Sequence, residues 1–162
     1  PVYMQTGEAA GFAAASSVKH DVAPTMLDPD ELLQTLVEHK QYVSFFNDSN
    51  AADDHPATAA AQYFGTKGFF ADYNARLDEP VTAAVAKVWV DAAVQIPFQT
   101  ADPTALARLV ARAEATESEP MTIEQFRGLW KSLKDIGKPT PVLTRGRLLE
   151  ILWDFVKKQE KA

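Results

Sequence analysis

Apolar residues recur along this chain at three- and four-residue steps, and strict alternation is scarce, which predicts helices almost throughout. The first predicted helix covers Glu8 to Lys19. It is mostly alanine, with Gly7 and Gly11 at its start. A second opens with Asp28 as N-cap, Pro29 as first helical residue and Glu31 as capping-box partner. Leu32, Leu33, Leu36 and Val37 give it one apolar face. Tyr42 to Phe46 follows as a short extended or irregular anchor. Small polar residues from Asn47 to Asp54 mark a boundary, dividing the chain into 1–48 and 49–162.

In the second part, a short helix from Pro56 to Phe64 carries Ala57, Ala60, Ala61 and Phe64 on one face, and Gly65 or Gly68 ends it. Asp102-Pro103 opens a helix bearing Leu106, Leu109, Val110 and Ala113. Pro80-Val81-Thr82, Pro120-Met121-Thr122 and Pro141-Val142-Leu143-Thr144 open the others, and these share one device. An apolar residue precedes a Thr, and Trp89, Trp130 (with Leu133 beyond it) or Trp153 follows. The Thr hydroxyl accepts from an orphan amide while the residue before it staples to the helix. Met121 with Phe126 and Leu143 with Leu148 suit this, and Gln125 completes a capping box. Each cap stabilises by about 1 kcal/mol. The expected fold is all-α: a helical arm, then antiparallel helix-loop-helix repeats packed orthogonally or as a bundle.

Composition narrows the class. The 162 residues suffice for one domain, or a domain with a short arm, and 46% apolar residues favour a folded chain over a disordered one. A net charge of −6 argues against a general nucleic-acid binder, although Arg145, Arg147, Lys157 and Lys158 lie near one another. The absence of cysteine removes disulfides, thiol nucleophiles and thiolate metal sites. No apolar run is long enough to predict a membrane span. Ala9 to Val18 lacks the basic leader of a signal peptide. The opening Pro1-Val2-Tyr3-Met4 reads as the interior of a longer chain.

Catalytic patterns are sparse. Of His20, His39 and His55, only His55 lies beside acids, Asp53 and Asp54, and its spacing suits a helix cap better than a metal set. Asp28, Asp30 and Glu31 are accounted for by capping. Asp72, Asp78 and Glu79 lack the spacing of a calcium loop. No Ser-His-Asp or phosphate-loop signature is present. The Trp residues, at helical spacing among Leu and Val, read as core. Tyr63, Phe69, Phe70 and Tyr73 read as an exposed aromatic cluster and a candidate binding surface.

The stretch Met4-Gln5-Thr6-Gly7-Glu8-Ala9-Ala10-Gly11-Phe12-Ala13-Ala14-Ala15 is the most specific feature. A glycine-bounded helix start leaves amides free for an anion or an electron-rich ring atom, and so few side chains let a flat cofactor approach. With Lys19-His20 and the Asp-rich Asp28-Pro29-Asp30-Glu31-Leu32-Leu33 beyond it, this stretch resembles the C-terminal flavin-contacting motif of FAD-dependent oxidoreductases, in their bacterial xanthan-lyase-related subgroup. The resemblance covers Val2 to Phe46. It implies a parent in which Gly7, Glu8, Ala9, Ala10 and Gly11 face FAD. The parent's nucleotide-binding domain is missing here, since no GxGxxG stretch occurs, so the isolated chain is expected to be colourless and non-catalytic.

From Asp53 to Val156 a second resemblance appears. Asp54-His55-Pro56-Ala57, Tyr63-Phe64, Gly68-Phe69-Phe70, Tyr73 and Asp78-Glu79-Pro80-Val81-Thr82 resemble an S-layer homology repeat. That family implies helix-loop-helix units and cell-wall polysaccharide binding. Its Thr-Arg-Ala-Glu stretch is degraded here: Ala83-Ala84-Val85 follows Thr82, and only Thr144-Arg145 keeps the Arg. Together the resemblances imply the C-terminal fragment of an FAD-dependent oxidoreductase with a helical docking module. The alternative is a non-enzymatic helical module that binds a cell-envelope polysaccharide or a protein partner, or forms a homodimer. A secreted or cell-envelope location is favoured over the cytoplasm.

Overall fold

A computed structural model describes residues 2–98, 102–130 and 142–159. Among these it shows α1 (Val2–His20), α2 (Pro29–Glu38), α3 (Thr58–Thr66), α4 (Ala83–Gln95), α5 (Pro103–Glu114), α6 (Ile123–Leu129) and α7 (Arg145–Gln159). Single 3₁₀ turns follow α1 at Pro24–Met26 and α4 at Ile96–Phe98. The described residues contain no sheet, and the all-α expectation holds in a bundle-like packing.

The repeated Thr device does the expected capping. Thr82, Thr122 and Thr144 accept from the amides of Val85, Gln125 and Arg147 at 3.4, 3.2 and 3.2 Å. Gln125 Oε1 accepts in return from the Thr122 amide at 2.8 Å, completing the predicted box. Asp28 and Asp102 cap α2 and α5 through the amides of Asp30 and Thr104. Glu31 does not close a box with Asp28, and its carboxylate lies 3.6 Å from His20 Nε2.

The segments leading into the Thr caps meet one another. The Val81 amide donates to the Leu143 carbonyl at 2.9 Å, Leu143 to Met121 at 2.9 Å, and Met121 back to Val81 at 2.8 Å. This closed ring ties the starts of α4, α6 and α7. All its side chains are buried, and buried main-chain groups need such partners. The repetition in the sequence is thus a three-way junction, with isolated antiparallel bridges at Pro80–Thr144 and Thr82–Pro120.

Trp89, Trp130 and Trp153 are buried, as their spacing suggested. Trp89 Nε1 donates to the Phe69 carbonyl at 2.7 Å. Trp130 sits just past the last residue of α6, and the expected Leu133 and Pro141 lie outside the described residues. The core runs on through Val37 and Phe46, so α2 and the segment after it share it with residues beyond 49, while none of the described α1 side chains belongs to it. Asp30 on α2 accepts from the Tyr63 hydroxyl at 2.6 Å and pairs with Lys67, fastening α2 to the end of α3.

Gly68, at φ +83°, is the residue that ends α3. The Phe69 amide returns to the Phe64 carbonyl at 3.2 Å, as in a glycine-terminated helix. Gly65 lies inside α3, where a Cβ would stand 2.4 Å from Ser44 Oγ. Its missing side chain lets the Ser44 segment pack against the helix.

Candidate functional site

The glycine-flanked stretch is not a helix start. α1 begins at Val2, before the predicted start at Glu8. Gly7, Glu8, Ala9, Ala10 and Gly11 therefore lie within the helix, and their amides bond carbonyls one turn back instead of facing a ligand. What this stretch does present is bare helix surface. A Cβ added at Gly7 or Gly11 would meet nothing within 4 Å. α1 packs on α2 and the 3₁₀ turn that follows it.

The expected aromatic cluster is also rearranged. Tyr63, Phe69 and Phe70 are buried. Tyr63 packs tilted against Trp153 at 4.6 Å between ring centroids, Phe69 likewise against Phe64 at 4.5 Å, and Phe70 meets Phe46 edge-on at 4.8 Å. The run Phe69-Phe70 follows the turn at Gly68 directly into the core, and burying such rings is worth about 1.5–3 kcal/mol each. Tyr73 alone of the four is exposed, at 67%.

Tyr73 has other companions. The aromatic side chains among the described residues that are exposed are Tyr42 (46%), Phe45 (68%) and Tyr73 (67%). The Phe45 and Tyr73 rings lie 6.0 Å apart at 70°, forming an open corner. Phe45 lines two adjoining hollows. One, of about 440 Å³, is bounded by Ser44, Phe45, Thr66, Asp72 and Tyr73. The other, of about 380 Å³, is bounded by Gln5 of α1 and by Tyr42 to Phe45.

Both loops that carry these rings are irregular yet firmly held. Buried Gln62 accepts through Oε1 from the amides of Val43 and Ser44 at 3.1 and 2.9 Å, while Ser44 Oγ donates to the Gln62 carbonyl. On the other side, the Asn47 amide donates to the Tyr73 carbonyl at 2.7 Å. Asp48 receives the amides of Ala75 and Arg76, each at 2.8 Å. Arg145, buried at the start of α7, donates through Nε to the Ala75 carbonyl at 3.1 Å and pairs with Glu114 at 2.8 Å. Its guanidinium also lies 4.9 Å from the centre of the Trp89 ring.

Asp72 is the charged group at this rim. Partial burial opposes its ionisation, but the Asn74 amide and the Arg76 guanidinium outweigh that, and its pKa falls below the ordinary carboxylate value. Arg76 is engaged by Asp72 and lies 3.7 Å from Glu114.

No protein-family model, curated protein or solved structure matches this chain. The fold and the arrangement of side chains are therefore what bear on function.

His55 acts locally as a cap: its Nδ1 accepts from the Ala57 amide at 3.1 Å and its Nε2 faces Asp78 at 3.4 Å. Among the described residues no group of three His, Asp or Glu side chains is placed to hold a metal ion. None of the described helices is long and apolar enough to cross a membrane.

Sequence reasoning did not single out Tyr42 and Phe45 as exposed rings. A signal existed in the aromatic-rich run Tyr42-Val43-Ser44-Phe45-Phe46, but nothing local tells which rings turn inward. That is settled by Gln62, distant in sequence, which fixes the backbone so that Phe46 is buried and Phe45 is not.

Proposed function

We propose that this chain is a non-catalytic helical binding module whose ligand is a polysaccharide, held at the corner formed by Tyr42, Phe45 and Tyr73. The observation that carries this reading is the gathering of exposed aromatic rings on immobilised loops beside two hollows. Apolar rings left in water forgo burial, and their clustering on a soluble surface marks a contact site. Sugar rings suit such a corner because their C–H faces stack on aromatic rings while their hydroxyls reach polar groups at the rim. The rim here offers Ser44, Thr66 and Asp72.

The test is retention on immobilised polysaccharides, comparing the wild type with Tyr73→Ala and Phe45→Ala. Both residues are two-thirds exposed, so their loss leaves the core intact. Retention by the wild type and its loss in both variants is the expected result. Retention that neither variant alters would remove this corner as the site.

A second reading rests on α1. Gly7, Gly11 and Ala14 are exposed between Met4 (76%) and Val18 (83%), at alternating three- and four-residue steps along one side of the helix. This bare face suits a close-packed neighbouring domain, and in the oxidoreductase resemblance that neighbour is the FAD-binding domain. Any flavin contact would then use the uncovered helix side rather than free amides. This reading expects the purified chain to release added FAD on gel filtration, because it has no phosphate-binding glycine loop. Co-elution of flavin with the isolated chain would count against a neighbour that supplies the affinity.

A further inference from the structure

We propose that the Tyr42–Phe45–Tyr73 site selects uncharged glycan chains of two or more sugar units and excludes acidic ones. This rests on the polysaccharide reading above and deepens it. Two features of the site lead to it.

The first is charge. Neither hollow is lined by a Lys, Arg or His. Among the described residues Asp72 is the one charged group lining them, and it is ionised. The nearby cations are already committed: Arg76 to Asp72 and Glu114, Lys67 to Asp30. A uronate, pyruvyl or phosphate group entering here would meet a carboxylate of like charge and, among the described lining residues, no cation to offset it. Such like-charge juxtaposition disfavours an acidic ligand. A sugar hydroxyl meets the opposite situation. A carboxylate has about four acceptor positions. Asn74 and Arg76 use part of that capacity at Asp72, so a hydroxyl can donate to what remains.

The second is shape. Phe45 borders both hollows, with Tyr42 beyond it on one side and Tyr73 on the other. The hollows adjoin through Val43, Ser44 and Phe45. A chain lying across Phe45 occupies both, and Phe45 is then the shared contact. Linked contacts to the same chain raise affinity without any new interaction type.

The experiment uses an array of immobilised neutral glycans (glucans, mannans and chitin oligomers) beside polygalacturonate, alginate and hyaluronate. Hits are followed by calorimetry at low and moderate salt. At least one neutral oligomer should bind, at least tenfold more tightly than its own monosaccharide, with little change on adding salt. Phe45→Ala should weaken it at least tenfold and Tyr42→Ala or Tyr73→Ala less, with circular dichroism unchanged. Asp72→Lys should raise binding to the acidic polymers. Tighter binding of an acidic polymer by the wild type, abolished by Phe45→Ala, would overturn the selectivity while leaving the site in place. If the wild type binds nothing on the array, or binds regardless of Phe45 and Tyr73, both the selectivity and the polysaccharide reading fail.

Discussion

Replacing Gly7 and Gly11 by alanine distinguishes the helix observed here from the helix start that the sequence suggests. In the interior of an exposed helix, Gly is about 0.8–1.0 kcal/mol less favourable than Ala. The structure adds no steric cost, since a Cβ at either position meets nothing within 4 Å. Each substitution should therefore stabilise α1 by about 1 kcal/mol, which lowers the population of its opened form about fivefold. The double substitution should lower it about thirtyfold. Because α1 lies outside the hydrophobic core, a global melting curve reads this poorly. Amide hydrogen exchange along residues 8–15 is the direct measurement, and protection should rise by those factors. If Gly7 were instead the residue just outside the helix, alanine there would remove a favoured N-terminal cap residue and protection would fall. Unchanged or reduced protection in Gly7→Ala would refute the placement of these amides inside α1, and would restore them as candidates for a bound anion or flavin.

Two further outcomes test the core and the rim. Gly68→Ala should cost about 2–4 kcal/mol, combining a left-handed backbone with overpacking, because φ is +83° and the new Cβ would lie 2.1 Å from the Pro103 carbonyl oxygen. Thermal denaturation should show Tm lower by on the order of 4–16 °C, and an unchanged Tm would mean that the turn at Gly68 does not abut Pro103 at the start of α5. Asp72 has a lowered pKa in the folded chain, so its contribution to stability is complete above the ordinary carboxylate value and is lost as pH falls through the lowered one. Melting temperatures should therefore decline more steeply on acidification in the wild type than in Asp72→Asn, and parallel declines would show that the Asn74 and Arg76 contacts have no effect.

Helix identity was legible because its signals are local. Asp28, Asp102, Thr82, Thr122 and Thr144 cap the helices they were expected to cap, and Gly68 ends α3. The burial of the Trp residues followed from their helical spacing among aliphatic neighbours. The start of α1 is not legible because a glycine such as Gly7 serves equally as a helix boundary. The alanine-rich sequence on its C-terminal side, with Met4 and Gln5 as good helix formers before it, instead carries the helix through. The exposed aromatic corner was the least legible part. Four aromatic residues close in sequence suggested one surface, but Phe69 and Phe70 come straight off a tight turn into the core and Tyr63 lies on the inner side of α3. Which aromatic faces water depends on hydrogen bonds made across 18 to 28 positions of sequence, and no local pattern encodes those.

The same long-range contacts explain why the site can be rigid without regular secondary structure. The loop that carries Tyr73 is held from both directions: Asn47 and Asp48 bind its main chain on one side, and Arg145 and the Gly146 amide bind Ala75 and Leu77 on the other. Arg145 and Gly146 directly follow Thr144, whose segment belongs to the ring of main-chain bonds joining α4, α6 and α7. The junction that closes the core therefore also positions the exposed ring. The dependence runs one way. Tyr73 can be truncated without touching the junction, whereas any change that loosens the junction moves Tyr73 relative to Phe45. A ligand that needs both rings at their 6.0 Å separation is thus sensitive to substitutions deep in the core, while the stability of the core is insensitive to the exposed rings.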